Sequence, residues 1–161
     1  MGEDRDHHGG GLAAMLRAGA AGWLADEAAA ELLLRHGCWP GRPEFVRRFV
    51  GARPGPGAQC PAGVDWRGAV DGLAGDGLAC SASERAVLQI AASLGGGVPV
   101  SLRAVLGGLD QVNIALVTGA VLHANGTAAA PAPVAHPPGA RGSGAGGCAR
   151  ADDGQGGRGR R

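Results

Sequence analysis

The chain has 161 residues and a formal net charge of +1; glycine accounts for 32 residues and proline for 10, and alanine supplies 32 of those in its nominal 45% hydrophobic share. The glycines have no three-residue period, which excludes collagen, and no stretch approaches the 18 apolar residues of a membrane span. The length argues against a large α/β enzyme and for one small domain with tails.

Large apolar side chains are segregated along the chain. Of the Leu, Ile, Val, Met, Phe and Trp residues, only Met1 and Val134 fall outside residues 12–126. Charge divides the same way. Residues 1–11 carry one cation against three anions, residues 12–126 are balanced, and residues 127–161 carry five arginines against two aspartates. We therefore expect a disordered N-terminus at 1–11 and a helical domain at 12–126 with a loop at about 51–63. Residues 127–161 read as a disordered Gly/Ala/Pro/Arg-rich tail, too poor in apolar groups to offset its ordering entropy.

In chain order, residues 12–16 form a short helix, weakened by Gly19 and Gly22. A stronger helix covers about 23–36, with Asp26 and Glu27 near its positive end, Arg35 and His36 at the other, and Gly37 as a left-handed stop. Pro40 breaks the chain. Pro43 suits the first turn of a helix at about 44–50 that puts Phe45 and Phe49 on one face. Asp65 caps one or two turns carrying Trp66, Val70 and Leu73. Ser81 and Glu84 have the spacing of a capping box at the head of an amphipathic helix. Its inward residues are Val87, Leu88, Ile90, Ala91 and Leu94, and Gly95-Gly96-Gly97 closes it. After Pro99 a short helix from Ser101 turns Leu102, Val105, Leu106 and Leu109 inward. Asp110 caps a last helix at about 111–124, stopped by Asn125-Gly126. Nowhere does two-residue alternation meet a hairpin turn. The expected class is all-α, about six short helices in one small bundle.

Residues 83–85, 87–88, 90–94, 97–100, Leu102, 108–110, Asn113, His123 and Ala124 together resemble a group of uncharacterised small helical actinobacterial proteins. The likeness is confined to about residues 81–126, and the glycine triplet and the long tail depart from it. The resemblance implies a helical fold and carries no activity.

Chemistry-bearing residues are sparse. His36-Gly37-Cys38 has metal-ligand types, but zinc takes four N/S ligands, usually in close pairs, and Cys60 and Cys80 each stand alone. His7-His8 is a weaker case still. No metal and no cofactor is expected. Cys80 lies beside a helix N-terminus, which favours a thiolate, yet neither it nor Cys38 has an evident base. An enzyme would need His36, Cys38 and an acid such as Asp65 to converge, so no catalytic activity is expected. Residues 80–84 look like an ATP-binding-cassette signature, but a chain without lysine has no P-loop. The glycine triplet follows a helix rather than opening one, so it reads as a stop and not as a phosphate cradle. Cys38, Cys60, Cys80 and Cys148 behind an acidic, signal-less N-terminus suit reduced thiols and a cytoplasmic location.

Two binding readings follow. Trp23, Trp39, Trp66, Phe45 and Phe49 serve as core anchors; if exposed, Trp39 with Phe45 and Phe49 would make a protein-binding patch. Residues 81–94, 101–107 and 111–124 have the lengths of a helix-turn-helix unit. In that alternative, Arg85 and Arg103 would meet DNA phosphates while Gln111 and Asn113 address base edges. The last helix has no arginine and the body is neutral, which disfavours nucleic acid. The leading expectation is a non-enzymatic helical protein-interaction module, its lean core profiting from added burial against itself or another protein.

Overall fold

Helix α2 (Leu24–His36) is the element around which the others pack. Its run Ala28-Ala29-Ala30 with Leu32 and Leu33 is buried, and small side chains there let neighbouring helices approach on more than one side. The protein is described by a computed structural model covering residues 6–54, 60–74 and 78–127. Among the described residues there are seven helices and one small sheet. These are α1 (Asp6–Ala20), α2, α3 (Pro43–Phe49), β1 (Val50–Ala52), β2 (Ala62–Val64), α4 (Trp66–Ala74), α5 (Ala82–Gly96), α6 (Leu102–Leu106) and α7 (Gln111–Ala124). The class is all-α, as expected.

Helix α2 packs on α1, α5 and α7, and α4 lies against α5. The core joins Leu32 and Leu33 to Trp39, Phe45, Trp66, Leu73, Val87, Leu88 and Ile90. Local signals place most boundaries. Gly37 ends α2 in the left-handed conformation at φ 75°, Pro43 opens α3, and the Asp65 carboxylate accepts from the Gly68 N–H at 3.0 Å. The Ser81–Glu84 capping box is fully formed, and Asp110 caps α7 through the Asn113 N–H at 2.8 Å.

Four expectations need correction. The first helix starts at Asp6, so residues 6–11 are helical rather than disordered. Once a helix is docked through Leu16 and Ala20, each added turn gains backbone bonds without needing burial. Second, the ends of the presumed 51–63 loop pair as antiparallel strands, Val50 opposite Val64 and Ala52 opposite Ala62. Third, Gly95 and Gly96 belong to α5, and Gly97 is the stop, at φ 60°. A Cβ on Gly95 would lie 2.8 Å from both the Ala29 Cβ and the Trp66 Nε1, so glycine here serves close packing of α5 on α2 and α4. Fourth, α6 buries only Val105, leaving Leu102 and Leu106 exposed. One turn of helix has too little surface to turn four leucine-type positions inward at once. The tail expected at 127–161, with Cys148, lies outside the described residues beyond Thr127, as does His7-His8 with respect to its side chains.

Candidate functional site

Two features stand out, one polar and one apolar. The polar one is built where the C-terminal end of α2 meets the N-terminus of α5. The Glu84 carboxylate accepts from the Cys38 thiol at 3.0 Å on Oε1, and from the Ser81 N–H at 2.8 Å and the Arg42 guanidinium at 3.1 Å on Oε2. The Glu84 carbonyl accepts from the Trp39 indole N–H at 3.1 Å. Arg42 also donates to the Ala79 carbonyl and lies over the Trp39 ring, 4.7 Å from its centroid. A single carboxylate thus joins the cap of α5 to the α2–α3 connection.

The electrostatics follow from this packing. Hydrogen bonds from the Cys38 thiol and the Ser81 N–H, with the Arg42 charge, hold Glu84 below its ordinary value against the opposing effect of burial. Burial, then the Glu84 hydrogen bond, pushes the Cys38 thiol up to about 11. Cys38 is therefore a protonated hydrogen-bond donor at neutral pH, and a thiol held in that form is a poor nucleophile. The acid that reaches it is Glu84; Asp65 is occupied with capping α4. His36 has a buried Nδ1 without a hydrogen-bond partner, and burial lowers its pKa although Glu84 and Asp110 pull the other way. Among the described residues no group of three or more His, Cys, Asp or Glu is placed to hold a metal ion.

Both depressed groups have the same sign of pH dependence. A histidine kept neutral by the fold contributes stability above its unfolded value of 6.5, and this is lost as pH falls from there toward its lower folded value. Glu84 contributes above its unfolded value of 4.5, and that contribution is lost as pH falls through its lower folded value. Melting temperature should thus decline from about pH 6.5 downward and fall further below about pH 4.5. In melts from pH 8 to 3, His36→Gln should flatten the first decline and leave the second. The Ser81 hydroxyl, accepting from the Glu84 N–H at 3.2 Å, predicts that Ser81→Ala costs about 1 kcal/mol in urea denaturation.

The sequence-derived binding residues are differently placed. Trp39 and Phe45 are fully buried and Phe49 nearly so, with ring centroids 5.3 and 5.5 Å apart in succession. They form core, not an exposed patch: Trp39 reaches the Glu84 carbonyl at the start of α5, and Phe49 lies against Gly72 of α4. Trp23, expected in the core, is 74% exposed. Of the DNA-reading set, Asn113 is buried, its amide donating to the Ser83 hydroxyl at 2.8 Å and the Asp110 carboxylate at 2.9 Å. Arg85 turns inward to the Leu73 carbonyl at 2.7 Å. Gln111 and Arg103 are exposed. A base-reading residue must leave its amide free, and Asn113 instead ties α7 to the first turn of α5.

The apolar feature is α7 itself. It buries Asn113, Val117 and Ala120 against the body, and its exposed remainder mixes apolar residues with Gln111, Thr118 and His123. Val112 is 72% exposed and Val121 50%, Ile114 is partly open, and Ala115 and Gly119 face solvent. No Asp, Glu, Arg or Lys occurs anywhere from Gln111 to Ala124. Leu102, 61% exposed, and Leu106 precede its N-terminal end. Leu24 sits at its C-terminal end, 3.4 Å from where a Gly126 Cβ would be, beside Trp23. A helix enclosed on one side ordinarily carries charged residues on the other, and this one carries no Asp, Glu, Arg or Lys there. The signal is present in the sequence as an uncharged 14-residue helix, whose lack of arginine bears there only on nucleic-acid binding.

No helix among the described residues is long and apolar enough to cross a membrane. Compared with protein-family models, with curated proteins and with solved structures, the chain matches none.

Proposed function

We propose that the protein is a non-enzymatic helical module that binds protein through the outward side of α7 and the leucines of α6. The observation that carries this reading is the uncharged, valine-bearing solvent side of α7. Exposed apolar groups scattered singly are ordinary, but an uncharged helix with Val112 and Val121 exposed on either side of its buried row, preceded by two exposed leucines and near an exposed tryptophan, has the composition of an interface. Burying such a side gains roughly 25 cal/mol per Å² of apolar surface. The same reading places the protein in the cytoplasm, where the Cys38 thiol remains reduced and able to donate to Glu84.

Site-specific photocrosslinking tests it in living cells. A benzophenone side chain at Val112 should yield adducts with protein, whereas the same group at Arg47, exposed on α3, should not. Equal labelling at both positions, or none at Val112, counts against the module.

A further inference from the structure

We infer that the occupant of the α7 face is a second copy of this chain, docked helix against helix in antiparallel two-fold symmetry. The inference rests on the interaction reading above and names its partner. Val112, Ala115, Gly119 and Leu122 recur at intervals of three, four and three along α7, the spacing of a helix–helix seam. This row, of which Leu122 is half-buried, lies roughly opposite the buried row of Asn113, Val117 and Ala120. The seam is symmetric about its own midpoint. In an antiparallel pair a two-fold axis between Ala115 and Gly119 sets Val112 against Leu122 of the other copy and Ala115 against Gly119. Small residues thus meet at the centre and larger ones at the ends. Above Gly119 there is nothing within 4 Å of where a Cβ would stand, so another backbone has room to approach.

Charge favours a copy over a charged partner or a lipid surface. No Asp, Glu, Arg or Lys lies on α7, and His123 at the edge of the face meets Glu27 at 3.2 Å, so stacking α7 on itself opposes no like charges of its own. A charged partner surface would have to bury its charges without counterparts. Residues 128–161 contain one large apolar side chain, Val134, and are too poor to cover the face themselves. A lipid surface calls for basic residues flanking the apolar side, and α7 has no arginine or lysine. A helix of 14 residues is about 21 Å long and alone falls short of the ~800 Å² per partner of a stable interface. An antiparallel copy can add to this, because Leu102 and Leu106 precede one end of α7 and Leu24, next to Trp23, sits at the other, all four exposed.

Sedimentation equilibrium of the full chain at about 100 µM, well above a micromolar Kd, should give twice the 15.8 kDa chain mass. Ala115→Lys and Gly119→Glu should each sediment as monomers with unchanged helical circular dichroism, since both positions are open to solvent. Ala18→Arg, exposed on α1, should remain dimeric. Mixing the Ala115→Lys and Gly119→Glu proteins should restore a dimer, because the two-fold sets residue 115 of one copy against residue 119 of the other. A monomeric wild type, or a dimer indifferent to Ala115→Lys, overturns the inference; a mixture that stays monomeric overturns the antiparallel register. If the wild type is a monomer while Val112 crosslinks to a different protein, the module stands and self-association falls. Flotation of that monomer with vesicles of anionic phospholipid would assign the face to lipid and overturn the inference as well.

Discussion

Gly19→Ala should destabilise the protein by about 2–3 kcal/mol, although alanine is the better helix former. Helix α1 crosses strand β2 with backbone against backbone at this point. A Cβ on Gly19 would overlap the Ala62 carbonyl, with the carbonyl carbon only 2.8 Å away. Ala62 cannot retreat: it is buried and paired to Ala52 in the two-stranded ladder. The Gly19 carbonyl in turn accepts from Arg53 at 3.2 Å, so moving α1 breaks a second link. A control lies in the same helix. Gly11 has open space around it, and Gly11→Ala should stabilise by roughly 0.5–1 kcal/mol through helix propensity alone. Urea denaturation of both variants measures the pair of opposite signs. If Gly19→Ala matched the gain of Gly11→Ala, the α1–β2 crossing would be wrong.

That crossing also marks where sequence reasoning ran out. Helix ends were legible because their causes are local: Gly37 after α2, Pro43 opening α3, Ser81 three residues before Glu84, Asp110 three before Asn113. The strand pair was not, because Gly51, Ala52, Ala62 and Gly63 carry no alternation of large apolar and polar groups, and only backbone bonds between distant residues create it. Gly19 consequently looked like a weakness in a helix when it is a contact point. Asn113 shows the same limit. Its place in the first turn of a helix suited a base-reading amide, yet Asp110 and Ser83 draw it into the joint between α5 and α7. The candidate patch of Trp39, Phe45 and Phe49 failed for a simpler reason: aromatic spacing tells which side of a helix is apolar, and not whether that side meets protein or water. On α7 no charged residue marks the solvent side, so composition alone does not separate its exposed side from its buried one.

Glu84→Gln should cost about 2 kcal/mol, more than Ser81→Ala, reversing the order that a simple capping box implies. In a capping box glutamine replaces glutamate with little loss, since only one acceptor is used. Here both oxygens accept, Oε1 from the Cys38 thiol and Oε2 from the Ser81 N–H and the Arg42 guanidinium. Glutamine has one acceptor and one donor. Its oxygen must serve Ser81 and Arg42, leaving its NH₂ toward a thiol that was itself donating, and the charge that paired Arg42 is gone. Bonds to charged groups contribute about 1.5–3 kcal/mol, which sets the scale of the loss. A second readout separates this hub from an ordinary cap. With Glu84 neutral, the contribution of its carboxylate to the raised Cys38 pKa of about 11 disappears, while that of burial stays. Alkylation of Cys38 at pH 8 should therefore be faster in Glu84→Gln than in Ser81→Ala, which leaves the carboxylate in place. Equal stability of Glu84→Gln and wild type, with unchanged alkylation, would mean that Glu84 caps α5 and does nothing more. The expected outcome ties three elements to one side chain: lose the carboxylate, and the cap of α5, the turn after α2 and the entry to α3 all lose their common partner.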